Sequence, residues 1–407
     1  ACDFGGPPDS TIFGETVKTN WSAATIANET MIRFWDFNDT YHFVKKPGDL
    51  GACHPSDSFA AVLALGERQQ ASGKLVIEAA VAGYEIMGRM IDSFKTGLEP
   101  MGFHHGSVMS FAGAAIGGKL LGLTADQIMH AMGIGAVASV GLGILDAEGE
   151  EYNNSKNIAD GLMVERGVLG AFWAEKGFTG PDRIIEGNKG FAHNLLRGTE
   201  NYISKMPKDR YYLLESRMKY FPIESTNQGH LMATCNLVRE NRLKPDDIEE
   251  IILRISKRTL FHNGDPQKKY PYNKETADHS VFFMTALAVV TGGRVVPAHF
   301  TKETYDDPII HELIEKGTLE HGPEFDATTP AAKSTIKTKD GRTLEKQVDF
   351  PRGTPENRMT NDEIRDKFVD CTRSTMTTDQ VDRITEACLN LENMDDIGEL
   401  MPLLVVH

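Results

Sequence analysis

Apolar residues recur at three- and four-residue steps through residues 22–170, which predicts a series of amphipathic helices. Glycines mark the breaks between them, and Thr124 with Gln127 forms the polar pair typical of a helix start. We therefore expect an all-α core in this half of the chain. The clearest helices are predicted at residues 58–72, 75–95, 106–122 and 124–135.

Small residues are concentrated at positions 111–118 and 133–143. Such runs let helix backbones approach closely, so they predict a crowded helical core rather than a cofactor loop. The glycine pairs in the second run lack the preceding strand and the spacing of a nucleotide-binding fingerprint. The weakly polar segment 132–145 is too short to cross a bilayer, and we expect it to form a buried helix.

Beyond Phe221 the pattern changes to short alternating segments. Strands are predicted at 248–255, 334–338 and 343–348, and residues 339–342 are typical of a hairpin turn. Helices predicted at 228–241, 280–290 and 308–316 would cover one face of this sheet, giving an α+β layer. After a polar, proline-containing segment at 352–357, further helices are expected near 360–372 and 378–391.

Composition narrows the class of protein. A chain of 407 residues is long enough for two compact units, and 40% hydrophobic with 25% charged residues is typical of a globular protein. A net charge of −15 argues against nucleic-acid binding, and no membrane span or secretory signal is visible. We expect a cytoplasmic protein, or a mitochondrial one in a eukaryote. The cysteines are odd in number and nowhere spaced as CxxC, which favours free thiols over disulfides, a zinc ribbon or an iron–sulfur cluster: Cys2, Cys53, Cys235, Cys371 and Cys388.

Polar motifs stand out against the helical pattern. Removing water or a carboxylate from a polycarboxylic acid needs cations for the carboxylates, a base and a proton donor. Lysines and imidazoles in these motifs could meet those needs, although each residue taken alone is more often a helix cap, a packed side chain or a surface charge. The motifs are DFNDT (Asp36 to Thr40), HPSD (His54 to Asp57), GFHHG (Gly102 to Gly106), SKNIADG (Ser155 to Gly161), KYFPIE (Lys219 to Glu224) and ADHS (Ala277 to Ser280).

In this order the motifs resemble those of the MmgE/PrpD family, from about Ala1 to the C-terminus. The resemblance implies a mainly α fold with a large, discontinuous helical domain and a smaller α+β lid domain. It places the helical domain at residues 1–218, the lid at 219–352 and the returning helices at 353–407. Family members usually carry further helices before the segment that opens this chain, so we expect a fragment or a processed product.

The resemblance also implies a set of active-site residues. We expect His104 or Asp36 to abstract the proton, His54 to protonate the leaving hydroxyl, and Thr40 to hydrogen-bond the substrate. Lys156 and Lys219 would hold substrate carboxylates. Three further residues are expected at the substrate with less support: His105, Glu224 and His279. The family works without a metal or cofactor and suggests a homodimer, whereas His42, His230 and His262 are interpreted as structural or surface residues.

The motifs resemble different members of the family. The segments around Asp36, His54 and Phe221 are most similar to 2-methylcitrate dehydratase, whereas Gly102-Phe103-His104 and Lys219 are more similar to cis-aconitate decarboxylase. The sequence departs from the family pattern in two places. Phe283 stands where the family usually has tyrosine, and residues 43–51 form an insertion. The sequence thus predicts a lyase that dehydrates a 2-methylcitrate-like polycarboxylic acid. A decarboxylase of the cis-aconitate type, an epimerase of the iminodisuccinate type and a non-catalytic binding paralogue stay open.

Overall fold

The computed structural model describes residues 1, 3, 5–46, 49–94, 96–150, 152–196 and 209–406, with the side chains of 43, 45, 46, 49 and 50 left out. Cys2 and Lys95, the predicted end of one helix, lie outside this set. Helices account for 55% of the structure and the sheets are small, which confirms the mainly α prediction. Among the described residues, no helix is both long and apolar enough to span a membrane.

The N-terminal half is a layered helical assembly around one hydrophobic core. This first core contains Leu65, Met87, Phe111 and Val164, all almost fully buried. The helices predicted at 58–72, 75–95, 106–122 and 124–135 are confirmed, and Thr124 forms the predicted capping box with Gln127. The helices of this half are α1 (Trp21–Phe34), α2 (Phe59–Arg68), α3 (Gly73–Ser93), α4 (Met109–Leu120), α5 (Ala125–Ala136), α6 (Ser155–Glu175) and α7 (Phe191–Leu195).

Helices α4 and α6 pack with almost no space between their backbones. A Cβ atom on Gly113 would lie 2.2 Å from the carbonyl oxygen of Val164, and one on Gly167 would lie 2.1 Å from that of Ser110. Both distances are far below van der Waals contact, so only glycine fits at these positions. This confirms that small residues serve close helix packing here.

The expectation of an all-α N-terminal half is wrong at two places. Short strands β1 (Ser10–Thr11) and β2 (Lys18–Thr19) pair near the start, and β3 (Asp39–Lys46) pairs antiparallel with β4 (Asp49–Cys53). Strand β3 also pairs with β5 (Arg217–Met218), which lies far away in sequence. Because β5 is remote, local periodicity does not reveal its pairing with β3.

The expected buried helix at 132–145 is also wrong. Helix α5 ends at Ala136, and the chain then turns back in an extended form that pairs with the segment around His104, whose N–H donates to the Gly141 carbonyl. The apolar side chains beyond the helix are exposed, with Val137 and Leu142 at 65% and 62%. Glycines at this end favour the extended turn over continued helix.

The C-terminal half contains the predicted α+β layer. A four-stranded sheet has the order β7 (Gly317–His321), β6 (Ile248–Ile255), β8 (Ala332–Thr338) and β9 (Thr343–Val348), in which β6 and β7 are parallel and the other pairs antiparallel. The predicted strands and helices are confirmed, whereas β7 was not predicted. These elements are α8 (Gln228–Asn241), β6 (Ile248–Ile255), α9 (Lys257–His262), α10 (Lys274–Ala277), α11 (Val281–Val290), α12 (Lys302–Tyr305), α13 (Pro308–Glu315), β7 (Gly317–His321), β8 (Ala332–Thr338) and β9 (Thr343–Val348).

A second hydrophobic core lies under this sheet and includes Leu231, Ile251, Phe283 and Leu287. The chain ends with the predicted helices α14 (Asn361–Thr372) and α15 (Thr378–Leu389). Ile397, Leu400 and Met401 then pack into the first core. The division into a helical domain at 1–218 and 353–407 and a lid at 219–352 stays a prediction.

Candidate active site

Residues from both halves of the chain enclose a cavity of about 30 Å³. Its lining is strongly polar, because every residue except Ala52 and Ser225 is charged or a histidine. The full lining is Arg33, Asp36, Ala52, His54, Glu99, His105, Asp146, Lys156, Lys219, Glu224, Ser225, Arg258, His262 and His279. Seven of the nine residues predicted from the motifs are in this lining: Asp36, His54, His105, Lys156, Lys219, Glu224 and His279.

Five helices of the described part of the chain begin close to this cavity. His54 and His105 stand at short 3-10 turns that lead into α2 and α4, and Lys156 is in the first turn of α6. Glu224 caps the turn that leads into α8, and His279 directly precedes the N-cap of α11. Helix N-termini carry partial positive charge, so their convergence favours an anionic ligand even though the whole chain carries −15.

Asp36 forms the centre of a buried cluster of charges. Its Oδ1 atom lies 2.8 Å from Nζ of Lys219 and 4.0 Å from Nζ of Lys156. Burial alone would raise the pKa of the Asp36 carboxyl, but the ammonium groups of Lys219 and Lys156 hold it well below its ordinary value. The backbone of Asp36 is left-handed at φ 46°, a strained conformation that aims the carboxylate into this cluster.

Arg33 supports the same cluster from helix α1. Its guanidinium is almost fully buried and lies 3.4–3.5 Å from carboxylate oxygens of Asp36, Asp57 and Asp160. Burial opposes the charge of Arg33, yet these carboxylates raise its pKa above the ordinary value. Arg33 is not among the residues predicted from the motifs. The sequence did offer one indication, because residues three apart lie next to each other on a helix, and Arg33 is three residues before Asp36.

The hydrogen bonding of His54 defines its protonation. Its Nδ1 atom lies 2.6 Å from the carbonyl oxygen of Asp39, which only accepts, so Nδ1 donates. Burial, followed by the positive charges of Arg33 and Lys219, lowers the pKa of His54 well below its ordinary value. The imidazole is therefore neutral near pH 7, with its lone pair on Nε2. This arrangement suits a base better than the proton donor that the resemblance implied.

His104 lies behind His105 rather than in the cavity wall, with ring centroids 3.9 Å apart. Its Nδ1 accepts from the Gly106 N–H at 3.2 Å, which puts the proton of the neutral ring on Nε2, 3.8 Å from Oδ2 of Asp146. Burial lowers the pKa of His104 and, together with His104, that of His105. His105 contacts the ring of His54 edge-on at 4.8 Å.

His279 forms a hydrogen-bonded chain with Asp278 and Lys274. Its Nδ1 contacts Oδ1 of Asp278, whose Oδ2 lies 2.8 Å from Nζ of Lys274. Burial and then the charge of Lys156 lower the pKa of His279 well below its ordinary value. A carboxylate that orients an imidazole beside a cavity is a common arrangement for proton transfer. Asp278 is in the ADHS motif, but nothing in that motif distinguished it from its neighbours.

Two predicted residues make mainly internal contacts. The Thr40 hydroxyl donates to the Cys53 carbonyl at 3.2 Å and lines a neighbouring, narrower cavity that Lys219 also reaches. The Glu224 carboxylate accepts from the Ser225 hydroxyl, from the N–H and hydroxyl of Thr226, and from the Asn263 amide. Phe283 packs against Phe300 and Tyr305 in the second core.

Besides Arg33, four charged or imidazole residues of the lining were not predicted: Glu99, Asp146, Arg258 and His262. They could not be found from the motifs because they lie on separate loops and on α9, and only the tertiary fold brings them together. His262 was interpreted from the sequence as structural or surface; it is buried, lines the cavity and contacts Glu148 at 3.1 Å.

Acidic and imidazole groups in the site could also hold a cation. Among the residues that the structure describes, three sets of ligand atoms lie within 4.8 Å of one another: His104, His105 and Asp160; Asp36, Asp278 and His279; and Glu99, His105 and Asp146. The first two sets lie beside the charge of Arg33 or Lys219, which competes with a metal ion for the same carboxylates. The absence of a metal stays a prediction.

Known proteins resemble this chain over nearly its full length. It is 26% identical over 413 residues to a cis-aconitate decarboxylase-like protein, oryM, of Aspergillus oryzae, covering 97% of this chain and 84% of the relative. Human cis-aconitate decarboxylase is 25% identical over 415 residues, covering 97% and 82%. The 2-methylcitrate dehydratase of Escherichia coli is 26% identical over 403 residues, covering 92% and 80%.

Those enzymes are lyases. Both domains of their family also match this chain, the N-terminal domain first and the C-terminal domain second. Residues 1–203 match the MmgE/PrpD N-terminal domain, and residues 221–392 match the MmgE/PrpD C-terminal domain. The chain therefore belongs to the MmgE/PrpD family, as its motifs predicted.

Proposed function

We propose that this protein is a cofactor-independent lyase that dehydrates a 2-methylcitrate-like polycarboxylic acid. The observation that carries the proposal is the cavity itself, where Lys156 and Lys219 stand beside neutral imidazoles at the start of five helices. Carboxylate binding by the Lys156 cation is one requirement, and proton transfer by an imidazole and the Lys219 ammonium is the other. Both are needed to remove a proton next to a carboxylate.

In the proposed reaction, Nε2 of His54 takes the proton from the carbon next to a substrate carboxylate. Lys156 and the helix N-termini stabilise the negative charge that develops on that carboxylate. Lys219 then donates a proton to the departing hydroxyl, which leaves as water. Burial lowers the pKa of the Lys219 ammonium, which makes it a better acid than an exposed lysine.

Decarboxylation of a cis-aconitate-like acid is the second candidate, because decarboxylases and dehydratases are about equally similar to this chain. That reaction begins with loss of carbon dioxide, and the resulting carbanion is then protonated. It uses the same cations but requires no base for a carbon-bound proton.

Proton NMR in deuterated buffer distinguishes these reactions, using the full chain with 2-methylcitrate, citrate, cis-aconitate and an iminodisuccinate-type diacid. Dehydration predicts that the signals of a hydroxy acid are replaced by those of an unsaturated acid, with deuterium exchange at the adjacent carbon of the remaining hydroxy acid. Release of carbon dioxide from cis-aconitate would favour decarboxylation, and exchange without elimination would favour an epimerase. Folded protein that binds these acids without exchange or turnover would contradict the lyase proposal and favour a binding paralogue.

A further inference from the structure

The cavity is closed to a substrate of the proposed size. Its volume of about 30 Å³ is far below the roughly 300–1,000 Å³ of ordinary ligand sites. A cleft of about 740 Å³ lies next to it and shares Glu99, Asp146, Arg258 and His262 with the cavity lining. A substrate therefore reaches the cavity most directly through this cleft, past these four side chains.

Arg258 lies at the boundary between cleft and cavity and is held there by ion pairs. Its guanidinium forms an ion pair with Glu99, and its Nη1 lies 3.6 Å from Oε1 of Glu148. Glu148 is in turn 3.1 Å from Nδ1 of His262. Arg258 and His262 belong to α9 in the C-terminal half, whereas both glutamates belong to the N-terminal half, so these contacts join the two halves across the entrance.

The guanidinium also has unused binding capacity. Its Nε atom is buried and has no hydrogen-bond partner among the described residues. A guanidinium binds a carboxylate best through two parallel N–H groups, and Nε with one Nη is such a pair. The carboxylate of Glu99 is chemically equivalent to a substrate carboxylate, so either can occupy Arg258.

We propose that Arg258 determines specificity for polycarboxylates by exchanging Glu99 for a substrate carboxylate. This inference rests on the proposed function, since it assigns a second carboxylate of the same substrate to Arg258 while Lys156 binds the carboxylate at the reacting end. A monocarboxylate cannot occupy both places. Substrates with a remote carboxylate are therefore selected, and Glu99 acts as the internal competitor that closes the empty site.

The test compares R258Q, R258K and E99Q with R254Q as the matched control. Arg254 is also an ion-paired arginine, but it is on β6 and contacts Glu320 and Glu324 outside the cavity. For the acid that wild type turns over, R258Q should raise KM about 10- to 100-fold, in keeping with the loss of a charge-assisted hydrogen-bonded pair, while kcat changes less. R258K should recover part of this loss, and R254Q should behave as wild type.

E99Q distinguishes exchange from a purely structural ion pair. Removing the competitor should lower KM for the polycarboxylate, whereas a structural role predicts weaker binding and lower stability. Calorimetry with the polycarboxylate and with its analogue that carries an amide at the remote carboxylate provides the second readout. Wild type should prefer the acid at least about tenfold, and R258Q should lose that preference.

The possible failures are distinguishable. If wild type is active and R258Q keeps the preference for the acid over the amide, the Arg258 inference is wrong and the lyase proposal stands. If wild type shows no turnover, the lyase proposal fails, and the calorimetric preference of wild type and R258Q decides the role of Arg258. A wild-type protein that binds none of these acids overturns the inference as well.

Discussion

The Nζ atom of Lys219 lies 2.8 Å from Oδ1 of Asp36, and both side chains are almost completely buried. The two residues are far apart in sequence, so the contact joins the DFNDT motif to the KYFPIE motif. Lys219 also contacts the Asp36 carbonyl oxygen at 3.1 Å. The ion pair places one positive and one negative charge in the cavity wall in the absence of substrate.

Breaking this pair should destabilise the fold. K219M leaves Asp36 with Lys156 and Arg33, whereas D36N leaves three buried cations near one another, so D36N should be the more harmful change. We expect D36N to lose about 3–5 kcal/mol of unfolding free energy and K219M to lose less. The double variant should lose clearly less than the sum of the two single losses. Urea unfolding of the four proteins measures this coupling. Additive losses would show that the two side chains do not interact energetically.

Replacing the proposed base should abolish most of the chemistry with little effect on folding. H54N keeps a donor that can approach the Asp39 carbonyl but lacks a basic nitrogen. Deuterium exchange into the substrate should fall about 10²- to 10⁴-fold. His193 is exposed on α7, so H193N is the control and should exchange at the wild-type rate. Exchange in H54N within a few-fold of wild type would assign the base to another residue.

The pH dependence of activity follows from the same histidine. A base acts only when neutral, and burial together with Arg33 and Lys219 lowers the pKa of His54 well below its ordinary value. The rate should therefore stay high as the pH falls through about 6.5, the range in which an ordinary histidine protonates, and decline only at lower pH. Measurement of kcat/KM in folded protein from about pH 4.5 to 8 tests this. A half-maximal rate at or above about pH 6.5 would contradict the proposed environment of His54.

Stability should depend on pH through Asp57. Burial raises the pKa of Asp57 to about 7, with Asp160 adding to the effect and Arg33 opposing it. The pKa of Asp57 is thus higher in the folded state than in the unfolded state, where it is about 4. The folded state therefore retains a proton that the unfolded state releases. The stabilising contribution of this proton to the free energy of unfolding is complete below about pH 4 and is lost as the pH rises through about 7.

Wild type should accordingly lose on the order of a few kcal/mol relative to D57N between about pH 5 and 8, measured by urea unfolding. The amide introduced in D57N cannot titrate, so the difference between the two proteins isolates the Asp57 carboxyl. D246N changes an exposed aspartate and should follow the wild-type profile. Parallel profiles for wild type and D57N would show that Asp57 is ionised throughout this range.

Local sequence information is sufficient where an element carries its own periodicity. Helix α8 and strand β6 follow their predicted bounds because each has a regular apolar face that packs on the second core. The hairpin from Asp39 to Cys53 was missed because residues 43–51 were interpreted as an insertion in a loop. The pairing of β3 with β5 was missed because strand formation also responds to non-local partners.

The same contrast holds in the site. Motif residues such as Asp36, His54 and Lys219 could be selected by their chemistry and by family likeness, and the cavity brings them together. Arg258 and Asp146 could not, because each is an ordinary charged residue until the fold places it at the cavity. The direction of hydrogen bonding at His54 also depends on tertiary structure, which is why its proposed role changes from acid to base.

Gly106 supplies a test of how tightly the paired histidines are held. A Cβ atom at this position would lie 2.0 Å from Oδ1 of Asp160 and 2.9 Å from Nδ1 of His104, so alanine must displace both groups. Both groups are fully buried, and the Gly106 N–H is the donor that sets the proton position on His104. G106A should therefore lower the unfolding free energy by about 1–3 kcal/mol. It should lower kcat while changing KM less.

The control for this change is G66A, also in the helical half. A Cβ atom there would meet only side-chain methyl groups, at 3.2 Å from Val76 and 3.4 Å from Ile397, which can shift slightly. G66A should keep wild-type kcat with little loss of stability. If G106A instead shows the stability loss with unchanged kcat, the position of His104 is not coupled to the reaction, and the role of that histidine is confined to packing behind His105.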